Sequence, residues 1–370
     1  MPTSANAPRP RLSYRRANFS AGEFRLLEVQ RASNIDDRIV CRVITANLKD
    51  DIEFIALSSL YGDTNVSEFI YIDNQRIPIP ENIASGMRHV RAVFLTEPDN
   101  NSKTDANGKV KPEKKPGGPP RWLVHALRLF RPMFDEHSQG RPLRIWFDAL
   151  CIDHNNAKET QHQLVHMTQV YRKAKIVVGW LGPADKDSDI AVEAIKVINE
   201  MIPPNWGDEE DKKINPQNYS PQHEWMTALA PFWAEDAPAD EEGGGSRPDG
   251  VPNNYHWIAC RQFLARDYFT RHWILTEIGR ARHPTFLAGT KILGWKHILR
   301  LTLLLQELRD KPSNVVPAHL PAALHQFPTG VVYDFLADFD QRHKAEKLER
   351  LQNTQRSDNT QFTSSSETYT

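Results

Sequence analysis

The sequence has little cysteine, no charge imbalance and no long apolar run, and each shortage excludes something. Its three cysteines, Cys41, Cys151 and Cys260, are too few and too scattered for a disulfide framework or a zinc cluster. They read as reduced, buried thiols. Lys and Arg number 46 against 47 Asp and Glu, so bulk electrostatics point to neither nucleic acid nor an acidic membrane surface as main partner. The lysine cluster within 109–115 is too small to reverse that balance. No stretch reaches the roughly 18 uninterrupted apolar residues of a membrane span, and the opening "MPTSANAPRPRLSYRRANFS" carries no apolar signal core. The expectation is a cytoplasmic protein with no membrane span and no nucleic-acid partner. Nucleophile-elbow, Walker and G-x-G-x-x-G signatures are absent too, which removes the usual marks of acyl transfer and of the common nucleotide folds.

What is present suits a globular fold. The chain has 370 residues, 39% apolar and 25% charged, enough for a large buried core. Low apolar content predicts a disordered N-terminus over 1–20, its first 11 residues above all, and a disordered tail over 353–370. One domain is expected over 21–310, interrupted by insertions at about 97–120 and 203–253 and followed by a helical extension over 311–352. Near the N-terminus, "FRLLEVQRA", "RIVCRVITA" and "FIALSS" read as strands. "FIYIDNQRIPIP" reads as a hairpin around Asp73 and Asn74 that Pro78 and Pro80 push to a sheet edge. A helix is expected from about Glu81 to Val93.

"LRIWFDALCID" and "KIVVGWLG" read as buried strands flanking a helix in which Leu164, Met167, Tyr171 and Ala174 recur at helical spacing. Such a unit implies parallel strands and a right-handed crossover. Further helices are expected in "SDIAVEAIKVINEMI", from Tyr255 to Arg282 and in "WKHILRLTLLLQEL", with a strand at "TFLAG". The alternation predicts an α/β fold: a largely parallel sheet with helices on both faces.

Chemistry-bearing side chains concentrate in two places. The first is "RIWFDALCIDHNNAKETQHQLVHM". Asp153, His154, Asn155 and Asn156 sit where strand hands over to helix, a place that calls for caps and turns but that also hosts ligands in open parallel sheets. Asp148 is more unusual, because a carboxylate in an apolar strand must be edge-exposed, hydrogen-bonded or shifted in pKa. His162 and His166 share a helical face, but Gln163 stands where a zinc protease needs its glutamate base and no third ligand is evident. They read as exposed helix histidines, and no metal is expected. A strand-buried Cys151 reads as inert.

The second place is "DYFTRHWILTEIGRAR". Trp273 and Glu277 are four apart, with Arg271, Arg280 and Arg282 around them. One reading is a core tryptophan beside a surface Glu277–Arg280 pair. The other sets an aromatic wall beside an acid, the equipment for stacking a flat base and stabilising an oxocarbenium-like transition state.

Three blocks together resemble the fungal heterokaryon-incompatibility (HET) family. "FIALSSLYGD" is similar to its Tyr-x-Ala-Leu-Ser-Tyr-x-Trp-Gly block. "IWFDALCIDH" with "HMTQVYRKAKIVVGWLG" is similar to its Trp-Ile-Asp-Ala-x-Cys-Ile-Asn-Gln block and to the Met, Tyr, Ala and Trp-Leu-Gly positions C-terminal to that block. "YFTRHWILTEIGRAR" is similar to its Arg-x-Trp-x-x-Gln-Glu block. Ser59, Tyr61, Asp153, His154 and Thr276 depart from the pattern, whereas Ser58, Gly62, Asp148, Cys151, Trp273 and Glu277 match it. HET domains in turn resemble Toll/interleukin-receptor (TIR) domains, some of which hydrolyse NAD, and that implies a TIR-like, flavodoxin-like sheet. By this resemblance Glu277 is the catalytic carboxylate, Ser58, Gly62 and Trp273 contact the nucleotide, and Asp148 and Arg271 support the site. NAD would be the substrate, with no cofactor. The implied role is an effector of non-self recognition and regulated cell death that associates with itself or with a second protein of the HET pathway. The alternative is a self-associating signalling module without catalysis.

Overall fold

The computed structural model describes residues 21–95, 143–219, 254–310 and 336–346, apart from positions 64, 66 and 272, together with isolated positions such as Leu12, Tyr14, Trp225 and Phe327. The expected 97–120 insertion and the 353–370 tail lie outside the described residues, as does the later part of the 203–253 insertion. The chain divides into two compact units, Met1–Pro183 with Leu287–Thr290, and Ala184–Phe286 with Lys291–Thr370.

The first unit is built on a sheet of β1 (Glu23–Val29), β2 (Val40–Asn47), β3 (Ile55–Ser59), β4 (Ser67–Ile72), β5 (Gln75–Pro80), β6 (Leu143–Trp146) and β7 (Ile176–Trp180), in the order β5-β4-β2-β1-β6-β3-β7. Leu287 and Gly289 continue it past β7, through Leu181 N–H to Leu287 O at 2.9 Å and Gly289 N–H to Gly182 O at 3.0 Å. The strand patterns hold. Every residue of β3 and β7 is buried, as continuous apolar runs require when both faces are covered.

The sheet is mixed, not largely parallel. β3 runs parallel to β6 and β7, and β2 to β4, whereas β1–β2, β1–β6 and β4–β5 are antiparallel. Connection length supplies the reason. A two-residue turn with Asp73 and Asn74 both at positive φ joins β4 to β5, and a connection that short permits only antiparallel pairing. The parallel core β6-β3-β7 forms where long segments intervene, among them α1 (Glu81–Leu95) between β5 and β6 and α3 (Ala157–Lys173) between β6 and β7.

β5 is the outer strand among those described. Tyr71 N–H and Asp73 N–H donate toward β2, so the alternate residues Ile70 and Ile72 bond β5. Their partners are Ile77 and Gln75, and Arg76, Pro78 and Pro80 therefore turn their backbone groups outward. That is where proline is tolerated in a sheet.

One element departs locally from expectation. β6 ends at Trp146, and Asp148–Cys151 is a single helical turn, α2, with extended Phe147 as its N-cap. The apolar run "WFDALCI" looks like a strand because Ala149, Leu150 and Cys151 of α2 are all buried, so it lacks the polar face by which a helix is recognised.

The second unit contains α4 (Lys186–Met201), α5 (Glu209–Ile214), α6 (Tyr255–Leu264), α7 (Asp267–Thr270), α8 (Ile274–Glu277), β9 (Lys291–Gly294) and α9 (Trp295–Asp310). β8 (Pro284–Ala288) begins in it. A capping box between Asp185 and Ser188 starts α4. At its far end Arg300 donates to the carbonyls of Asn199, Ile202 and Pro203, supplying donors to the orphan acceptors of a helix C-terminus. The helix expected from Tyr255 to Arg282 is three short ones, because Arg266 (ψ 137) and Arg271 (ψ 120) are extended. Residues 336–346 are helical, with Phe339 against Trp295 at a centroid distance of 4.8 Å.

Candidate functional site

In the first unit the carboxyl ends of the parallel strands β3 and β7 lie side by side, with Ser58 paired to Gly179 and Ser59 to Trp180. β3 sits between β6 and β7, and the strand that follows β3 lies on one side of the pair while the strand that follows β7 lies on the other, which is the strand-order reversal where open parallel sheets bind ligands. Ser58 is 1% exposed, buried two residues before the Leu60–Gly62 loop. That loop and its neighbour Asp63 expose Tyr61, Gly62 and Asp63. Gly62 has φ +71°, and a Cβ there would stand 2.8 Å from Cβ of Asn82. Glycine is therefore required for two independent reasons, conformation and space.

The first turn of α1 holds this loop in place. Asn82 Nδ2 donates to Leu60 O at 2.7 Å and to Ser59 Oγ at 3.4 Å, and Asn82 Oδ1 accepts from Trp180 Nε1 at 3.0 Å. Trp180 is 1% exposed. Its indole lies against α1 at Gly86, where an added Cβ would fall 3.0–3.3 Å from the ring, and beside His89 at a centroid distance of 4.8 Å. Burial pulls the His89 imidazole below its ordinary pKa. Asn82, Gly86 and His89 are i, i+4 and i+7, one stripe of the helix. Sequence reasoning missed this seat, although an Asn-Gly-His stripe at helical spacing is the signal that marks it.

Asp148 is half-buried at the start of α2, and its carbonyl bonds His154 Nε2 at 3.1 Å. It is a helix N-terminal acid and not a strand carboxylate. The residues after it do turn work. Asp153 Oδ1 accepts from Asn155 N–H, and Asn156 caps α3 by accepting from Glu159 N–H. The buried Cys151 thiol is pushed up to about 12 by desolvation, which favours its protonated form. His162 and His166 are half-buried and edge-on to each other at 4.6 Å, not exposed. Leu164, the first of the four residues that recur at helical spacing, is 38% exposed. Among the described residues no group of three or more His, Cys, Asp or Glu is placed to hold a metal.

An ion pair not anticipated from sequence lies beneath this turn. Arg25 of β1 grips Glu159 of α3 with both Nη atoms, at 2.5 and 3.2 Å, and Arg25 also donates to Cys151 O at 3.1 Å. Glu159 accepts from Asp153 N–H at 2.8 Å, and the ring of Tyr14 lies 4.7 Å from the guanidinium.

In the second unit Glu277 ends α8 with 3% of its surface exposed, and Oε1 stands 3.4 Å from Nη2 of Arg271. Arg271 pairs across the turn with Glu277, while Arg280, the expected partner, is exposed. Half-buried Trp273 precedes α8, and its carbonyl accepts from Glu277 N–H at 3.0 Å. The turn after Glu277 is braced from the C-terminal helix, where Arg342 Nη1 donates to Gly279 O at 2.6 Å. The structure thus brings Arg271, Trp273 and Glu277 together in one unit, and Ser58 and Gly62 together in the other.

Residues 96–277 match the family model described as heterokaryon incompatibility protein (HET). The match contains the second sequence block and closes on Glu277. The chain is also 23% identical over 298 residues to heterokaryon incompatibility protein 6, OR allele, of Neurospora crassa, a span covering 75% of this chain and 35% of that protein. The chain thus spans about a third of its relative's length. No solved structure matches. The blocks in their order, the family model and the Neurospora relative agree: residues 96–277 of this chain are similar to the HET family.

Proposed function

We propose that this HET-like chain acts in fungal non-self recognition, and that it does so by cleaving NAD in the manner of TIR domains, with regulated cell death as the outcome. The observation that carries the chemistry is a carboxylate, Glu277, withdrawn from water but paired with Arg271 and flanked by Trp273. In this reading the bond between nicotinamide and ribose lengthens, positive charge develops on the ribose, and Glu277 stabilises it. Water then adds to the ribose carbon. Nicotinamide leaves with the bonding electron pair, ADP-ribose forms, and one proton is released. Arg271 positions the carboxylate, and Trp273 offers a flat surface to a base. In the first unit the exposed Gly62 loop, at the carboxyl end of β3, is by itself a separate candidate for nucleotide contact. The role in non-self recognition draws on the name of the Neurospora relative. Self-association, or pairing with a second protein of the HET pathway, belongs to the same proposal.

The test is direct. The purified chain at high concentration, incubated with NAD, is expected to release equimolar nicotinamide and ADP-ribose, and Glu277→Gln to lower that rate on the order of a thousandfold. Intact NAD, together with fungal toxicity that survives Glu277→Gln, would transfer the assignment to a non-catalytic signalling module.

A further inference from the structure

We infer that Asn82 is a positioning residue that fixes the Leu60–Gly62 loop in its ligand-holding conformation before any ligand arrives. The inference rests on the assignment of nucleotide contact to that loop. Its geometric basis lies wholly within the first unit. The Asn82 amide is used at both ends, accepting from an indole 1% exposed and donating to Leu60 O, the last carbonyl before the exposed loop residues. Its Cβ occupies the space that a side chain at position 62 would need. Trp180 cannot retreat, because Gly86 and His89 close the stripe behind it. The loop leaves β3 with its first carbonyl tied down and its third residue, at positive φ, lying against the same asparagine. A loop ordered in advance spares the ligand the entropy of ordering it.

Asn and Asp differ at one atom here, and the difference separates the two halves of the clamp. Asn82→Asp keeps an acceptor for Trp180 but replaces the donor to Leu60 O by an oxygen that repels it. Trp180→Phe removes the indole donor and leaves the donor to Leu60 in place. The experiment tracks hydrogen exchange across 55–66, 81–95 and 176–182 in the full chain, with the indole N–H resonance of Trp180 and NAD titration recorded on the same samples. Asn82→Asp is expected to speed exchange at 60–63 about tenfold, the worth of one hydrogen bond, while β3, β7, α1 and the indole resonance stay put. The Kd for NAD read from the titration should rise by a similar factor. Trp180→Phe should do the same more weakly. Unchanged exchange at 60–63 in both variants, or a uniform rise across all three segments, overturns the inference. If the parent chain neither binds nor turns over NAD, the nucleotide assignment falls while the exchange pattern still decides the role of Asn82.

Discussion

Glu159 in the first unit and Glu277 in the second are buried to nearly the same depth, with side chains 5% and 4% exposed. Their partners differ. Glu159 is gripped by both Nη atoms of an arginine whose side chain is 2% exposed, and a backbone N–H adds a third bond. Glu277 faces an arginine 21% exposed at 3.4 Å. Burial alone therefore does not mark an acid for chemistry. The two acids differ in how closely these arginines approach them and in the arginines' access to water.

The largest expected effect breaks the first member of the pair. Arg25→Met leaves a carboxylate buried without its cation and should cost about 3–5 kcal/mol in chemical denaturation, whereas Arg25→Met with Glu159→Leu should recover most of that loss. A single-variant cost below about 1 kcal/mol would end the reading of Glu159 as the structural acid. Next, Gly86→Ala should cost about 1–3 kcal/mol, because a Cβ 3.0 Å from a buried indole has to displace it. Glu277→Gln should shift stability by about 1 kcal/mol or less while removing NAD turnover, and a large loss of stability would place it beside Glu159.

Acid sharpens the contrast from the second unit. Burial pushes the His297 imidazole from 6.5 down to about 4, so the folded state holds it neutral where the unfolded chain would charge it. Its contribution is complete above pH 6.5 and is lost as pH falls toward 4. His297→Gln is expected to flatten that part of a stability-against-pH curve measured by denaturant titration.

Local pattern made most of the elements readable. Alternation and continuous apolar runs located β1, β2, β3 and β7, and the Asp73–Asn74 turn with Pro78 and Pro80 gave the hairpin and its place at the border of the sheet. Three things resisted. Arg266 and Arg271 interrupt an apolar helical period without any glycine or proline to announce it. Cys151 and Asp148 sit in a helical turn hidden inside a strand-like run. The contacts that matter most, Arg25 with Glu159 and Asn82 with Trp180, join residues 134 and 98 positions apart, a separation that no local period reports. For the candidate site, Gly62, Trp273 and Glu277 were recognisable from their blocks, whereas the seat of the Leu60–Gly62 loop on Asn82 and the Arg271–Glu277 ion pair required coordinates.

Pro78 and Pro80 on the outward side of β5 have a consequence for how copies of this chain meet. Backbone oxygens there face outward with no amide hydrogen beside them at either proline, so an incoming extended segment finds acceptors it cannot reciprocate. Ribbon-by-ribbon growth along that margin is closed off.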